Sequence, residues 1–174
     1  KAFGKVDVLV CNAASNPHYG PMATITDEQL RKTLDHNIVS QHWLIQMVVP
    51  EMIARKSGSI VIVSSIGGLR GSPILGAYAI TKAADIQMTK NLAREWAAKG
   101  VRVNTLVPGF FPAEQNRKVL TPERVAMILG KTPMNRFGEA KELIGASLLL
   151  ASDAGSFITG SEIVVDGGFA AMSI

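Results

Sequence analysis

"GSIVIVSS", Gly58 to Ser65, carries four β-branched apolar residues in a row, Ile60 to Val63. A strand of this kind has no polar face and must be covered on both sides, as in a parallel sheet. Three more runs have the same character: "VDVLVCNA" (Val6 to Ala13), "VRVNTLVP" (Val101 to Pro108) and "SEIVVDGG" (Ser161 to Gly168). Helical patterns separate them, so the order reads β-α-β-α-β-α-β. That alternation predicts an α/β fold, a parallel sheet with helices on both faces.

The helices announce their ends. "TDEQ" at Thr26 to Gln29 is a capping box, with Asp27 and Glu28 suited to the positive end of a helix dipole. Apolar residues at helical spacing then run from Leu30 to Met52 and on to about Arg55, with Pro50 expected to kink or interrupt the helix. A second helix is predicted from about Gly76 to Ala98, stopping before Gly100, and a third from Ala140 to Ala151. Residues 110–138, punctuated by Pro112, Pro122 and Pro133, form an irregular stretch long enough to be a substrate loop.

The 174 residues suit one domain, 1–174, with a hydrophobic fraction of 47% and a charged fraction of 18%. Net charge is +4, but the basic residues are scattered, which excludes a nucleic-acid stripe. Cys11 is the only cysteine, so neither a disulfide framework nor a cysteine-based zinc site is possible within the chain. No apolar run approaches the roughly 20 residues that cross a bilayer, and the start lacks a signal-peptide pattern. A cytoplasmic location is therefore expected. Opening on Lys1, with a strand-like run close behind, the chain is expected to have been cut into from upstream.

In open α/β sheets, ligands bind beyond the carboxyl ends of the strands. Those ends carry Asn12-Ala13-Ala14, Ser64-Ser65-Ile66-Gly67-Gly68 and Pro108-Gly109-Phe110-Phe111, small or polar residues that let a ligand approach the backbone. Tyr78 and Lys82 in "GAYAITKAAD" stand at i and i+4 on one face of the second helix. Ser65 lies just past the strand that feeds that helix, so the three can converge. A phenol titrates near 10, and bringing it to about 7 takes ~4 kcal/mol of differential stabilisation. One ammonium group is not enough; an oxidised nicotinamide would add the missing positive charge. On spacing alone, a half-buried tyrosine beside a solvated lysine is the better reading of the pair.

Ser65, "YAITK", "CNAA", "VRVNTLVPG" and "ITGSEIVVDGG" together resemble the short-chain dehydrogenase/reductase family over essentially the whole chain. The resemblance implies a doubly wound, Rossmann-like sheet, NAD or NADP as cofactor, and hydride transfer between an alcohol and a carbonyl. It implies a tetrad in which Tyr78 is the general acid/base and Lys82 binds the nicotinamide ribose and lowers the tyrosine pKa. Ser65 would orient the substrate oxygen, and Asn37 in "LDHNIVS" would hold a water leading from Lys82 to solvent. Asn12, Ala13 and Ala14 would lie by the cofactor ribose, and Pro108, Gly109 and Phe111 would meet the nicotinamide. The family's pairing of helices between subunits implies a homo-oligomer, a dimer or tetramer.

Three departures accompany the resemblance. Ala14 stands where the family's "NAG" motif has glycine, and Ala113 where a threonine often contacts the carboxamide. The glycine-rich "TGxxxGxG" turn that cradles pyrophosphate at a helix N-terminus does not occur. The resemblance therefore leads one to expect the C-terminal two-thirds of the fold, with the first βα units missing.

His18 in "NPHYGP" could border a substrate pocket, while His36 and His42 read as structural, and no histidines and carboxylates stand at metal-ligand spacing. Arg117, Lys118 and Arg136, in or beside the irregular stretch, are either solvated or hold a substrate carboxylate, for which the two arginines offer bidentate pairing. "PGFFPAEQNR", "TPMNRFGE" and "VDGGFAAMS" are similar to reductases of sugar acids, whereas "NPHYGPM" and "SPILGAY" are similar to general carbonyl reductases. A polar carbonyl or sugar acid is the expected substrate. The alternative is an inactive fragment that acts only in subunit assembly. A Ser-Lys hydrolase is disfavoured, since Ser65 is not in a G-x-S-x-G elbow.

Overall fold

The computed structural model of the protein describes residues 4–112 and 120–172. Four strands, β1 (Val8–Cys11), β2 (Gly58–Val63), β3 (Val101–Pro108) and β4 (Glu162–Val165), form one sheet in the order β1-β2-β3-β4. Every pairing is parallel, with Ile60 opposite Leu9 and Val103, and Thr105 opposite Glu162. The flanking helices are α1 (Asp27–Leu34), α2 (Ser40–Ala54), α3 (Gly76–Trp96), α4 (Pro122–Gly130) and α5 (Ile144–Ala151). This is the α/β, Rossmann-like architecture that the strand and helix alternation predicts.

The continuous apolar runs are explained by two cores. On one face, Cys11, Ile60, Ile62, Val101 and Val103 pack against Ile45, Val49 and Met52 of α2 and Ala93 and Trp96 of α3. On the other, Val61 and Leu106 pack against Leu150 of α5. Successive residues of β2 thus enter opposite cores, as the period of two in a strand requires. Polar groups on the second face are matched to the helix above them. Ser59 Oγ donates to the Leu150 carbonyl at 2.7 Å, and Arg102 donates to the carbonyls of Leu150 and Ser152, both at 3.0 Å. These bonds satisfy free carbonyls at the end of α5 with a cation where the helix dipole favours one.

The capping box forms as expected: Thr26 Oγ1 accepts from the Gln29 N–H, and Gln29 Oε1 accepts from the Thr26 N–H. Gly100 ends the α3 region in a left-handed conformation, φ +80°, with the backbone of Lys56 too close for a side chain. Two expectations need correction. Pro50 lies inside α2 without ending it, because Pro50 and Gln46, whose carbonyl loses its helical donor, face solvent. The irregularity falls instead at Asp35–Val39, a π-helical segment between α1 and α2. The predicted third helix begins as a 3₁₀ turn, Ala140–Leu143, before α5.

Candidate active site

The carboxyl end of β2 and the first turns of α3 are held together through backbone. Ser64 Oγ donates to the Lys82 carbonyl at 2.7 Å. Gly68 lies so near α3 that a Cβ there would stand 2.5 Å from the Lys82 carbonyl carbon. Between these points Ser65 caps the turn Ile66–Gly68, its Oγ accepting from the Gly67 N–H at 3.1 Å. A methyl group built on Gly67 would lie 3.5 Å from Ser65 Oγ and 3.8 Å from Tyr78 Cε1, so the two side chains border one small space. Ser65, Tyr78 and Lys82 are brought together as the sequence predicts.

Lys82 is 1% exposed. Its Nζ donates to the Val63 carbonyl at 2.8 Å and to Asp85 Oδ2 at 3.0 Å, and lies 5.7 Å from the centre of the Tyr78 ring. An ammonium group has three N–H donors, so one is left for another acceptor. Burial pushes the Tyr78 phenol above its ordinary value; Ser65 pulls it back, and the charges of Tyr19 and Asp85 push it further up.

Asn37 sits in the π-helical segment, fully buried. Its Oδ1 accepts from the Ser15 N–H at 2.7 Å, and its Nδ2 donates to the Ser15 carbonyl at 3.0 Å and to Thr81 Oγ1 at 2.9 Å. The Asn37 carbonyl accepts from Gln41 Nε2. A π-bulge of this kind breaks the helical register and frees a side chain to reach outward. Here it ties the segment after β1 to the second turn of α3.

Asn12, Ala13 and Ala14 lie exposed at the carboxyl end of β1. Pro108 ends β3, and the Gly109 N–H donates to the Val165 carbonyl at 2.9 Å. A Cβ on Gly109 would stand 2.7 Å from Asp166 Cα, and the Phe111 ring occupies the place where Gly138 would carry one. Phe110, Phe111, Met134, Arg136 and Asp166 line a cavity of about 420 Å³ next to these strand ends. The Arg136 guanidinium is already engaged bidentately by Glu142, at 2.7 and 2.6 Å, and that pairing draws the Glu142 carboxyl down to about 2. His18 turns back into its own loop, Nε2 lying 3.2 Å from both the Pro21 carbonyl and Thr24 Oγ1. Arg117, like Ala113 and Lys118, falls outside the described residues.

Sequence reasoning missed Asp85 and Gln41, the groups that close around Lys82 and Asn37. The signal for Asp85 was its spacing: at i+3 from Lys82 and i+7 from Tyr78, it continues the same face of an Ala-rich helix. Arg70 was missed as well. It donates to the carbonyls of Ala170 and Met172 and binds the chain end beside the β2–α3 turn.

The nicotinamide end of a dinucleotide site fits these residues: a free Lys82 donor, a phenol and a serine at one strand end, and close backbone at Gly109. The described residues offer no glycine-rich turn for a pyrophosphate. A family model described as enoyl-(acyl carrier protein) reductase matches residues 1–170. Dehydrogenase/reductase SDR family member 4 of Bos taurus is 41% identical over 169 residues, 97% of this chain and 61% of that protein. The 2-dehydro-3-deoxy-D-gluconate 5-dehydrogenase of Pseudoalteromonas atlantica is 37% identical over 96% of this chain and 66% of its own length. Among solved structures, gluconate 5-dehydrogenase from Burkholderia cenocepacia, in complex with NADP and tartrate, aligns with a TM-score of 0.94. It is 32% identical, and the match covers 98% of this chain and 67% of that one. This chain therefore spans somewhat under two thirds of the bovine protein.

Proposed function

Because the chain belongs to the short-chain dehydrogenase/reductase family, we propose that it carries the proton-transfer half of an NAD(P)-dependent oxidoreductase interconverting an alcohol and a carbonyl. The observation that carries this reading is the convergence of Ser65, Tyr78 and Lys82 at the end of β2. In the reducing direction the Tyr78 hydroxyl gives its proton to the carbonyl oxygen, which the Ser65 hydroxyl orients by donating a second hydrogen bond. The phenolate left behind is stabilised by the Lys82 ammonium, whose remaining N–H would hold a ribose hydroxyl of the cofactor. The nicotinamide, when bound, supplies or accepts the hydride. Asn12, Ala13 and Ala14 would line the ribose side, and Pro108, Gly109 and Phe111 the ring side. Asn37 acts by fixing α3 to the segment after β1.

A polar carbonyl or sugar acid remains the substrate class we favour, supported by the two gluconate-type relatives. Arg136 is a poor carboxylate anchor while Glu142 fills its fork. We also propose a homo-oligomer, since α2 presents Trp43, Leu44 and Met47 to solvent, Met47 at 73% exposure.

The test is Tyr78→Phe in the intact protein. Turnover is expected to fall by about 10²- to 10⁴-fold, while NAD(P)H binding followed by fluorescence stays unchanged. Turnover retained in that variant would falsify the assignment of Tyr78. Absence of any NAD(P)H binding by the wild type would favour the second reading, an assembly role without catalysis.

A further inference from the structure

Asp85 is a wholly buried acid, and the proton-transfer scheme above gives it no task. Its Oδ2 accepts from Lys82 Nζ at 3.0 Å, while Oδ1 makes no hydrogen bond of good geometry among the described residues and has only the Gln41 amide beside it. The groups around it come from three elements. Lys82 lies on its own helix with Tyr78 two turns back, the Cys11 thiol comes from β1, and the uncharged amide of Gln41 from α2. Cys11 registers the confinement: burial first, and then the charge of Asp85, push its thiol up to about 11, with Lys82 pulling the other way.

A buried carboxylate with one oxygen unpaired is costly, and a lysine at the end of β2 could be anchored by the Val63 carbonyl alone. The pair has an electrostatic consequence that a lone ammonium lacks. Opposite charges 3.0 Å apart act on a third group as a dipole, whose field falls off faster than that of a single charge. We propose that Asp85 is a positioning residue for this site. It anchors the Lys82 ammonium at the β2 end and offsets part of the positive charge that would otherwise favour ionised Tyr78. The proposal rests on the reading of Tyr78 as proton donor and adds to it. It keeps the phenol protonated and ready to donate, which suits carbonyl reduction, and it delays the phenolate that alcohol oxidation needs.

The offset depends on pH. Burial pushes the Asp85 carboxyl up to about 6, against the pull of Lys82 and Gln41. Above that pH the carboxylate is present and opposes Tyr78 ionisation; below it the acid is neutral and the opposition is gone.

Labelling the tyrosine Cζ with ¹³C in the intact protein, and assigning Tyr78 by its loss in Tyr78→Phe, gives a readout independent of turnover. Asp85→Asn keeps an acceptor for Lys82 and removes the charge. Its Tyr78 midpoint is expected to fall by roughly half to one pH unit, whereas Asp85→Glu restores the wild-type value. In the wild type the same resonance is expected to show a small inflection near pH 6, where Asp85 titrates; this holds even if Asp85→Asn does not fold. The pH profile of alcohol oxidation in Asp85→Asn should move to lower pH by the same amount. An unmoved Tyr78 midpoint in folded Asp85→Asn, with no wild-type inflection, overturns the proposal while leaving the oxidoreductase reading intact. A wild type without turnover but with Asp85-dependent Tyr78 titration does the reverse.

Discussion

Asn37 spends every polar atom of its side chain on protein: the Ser15 N–H and carbonyl, and Thr81 Oγ1. Truncating it leaves the half-buried Ser15 N–H and carbonyl short of a partner, while Thr81 Oγ1 keeps only its bond to the Tyr78 carbonyl; an unpaired buried group costs about 1–3 kcal/mol. Asn37→Ala should therefore destabilise the fold by about 2–4 kcal/mol, measured by urea unfolding. Asn37→Asp should be no better, because a carboxylate cannot donate to the Ser15 carbonyl. A loss under about half a kcal/mol would mean that water replaces these bonds. The sequence offered Asn37 as a site residue only through a family resemblance. Its bonds to Ser15 and Thr81, 22 and 44 residues away, were illegible because they depend on how the helices pack.

At the scale of elements, the contact between the β2–α3 turn and α3 sets where Ser65 meets Tyr78. The helix was readable from composition and from its closing Gly100, and the turn from its glycines. What those glycines serve was not readable. Gly68 is needed because a Cβ would stand 2.5 Å from the Lys82 carbonyl carbon and 2.8 Å from the Ala83 nitrogen, backbone atoms that cannot swing aside. Gly68→Ala should push the turn off the helix, costing about 1–3 kcal/mol in thermal unfolding, with a larger proportional loss of NAD(P)-linked turnover. Equal stability in Gly68→Ala would show that the turn has slack. An interruption at Pro50 failed to appear for a reason of the same scale. A proline on the solvent face of a helix leaves its orphaned carbonyl to water, so packing of the buried face carries the helix past it.

Over the whole molecule, the sheet has one incompletely covered side. Among the described residues β1 pairs only with β2, and α5 covers β2 and β3 but leaves Val8 and Val10 of β1 exposed, Val10 at 54%. An apolar strand with a free edge is a template for further pairing. Val10→Lys should reduce concentration-dependent aggregation of the 174-residue chain in sedimentation velocity without lowering its thermal stability and without disturbing the homo-oligomer proposed through α2; unchanged aggregation would mean that the β1 edge does not pair. The alternation of strands and helices, the capping box and the Tyr78–Lys82 spacing were determined by sequence alone, because each rests on local periodicity and neighbours within one turn. The tertiary structure decided which long-range groups meet: Cys11 of β1 and Gln41 of α2 beside Asp85, and Ser15 and Thr81 around Asn37. Such contacts depend on where distant elements are placed by the burial of two opposite sheet faces, and no local pattern encodes that placement.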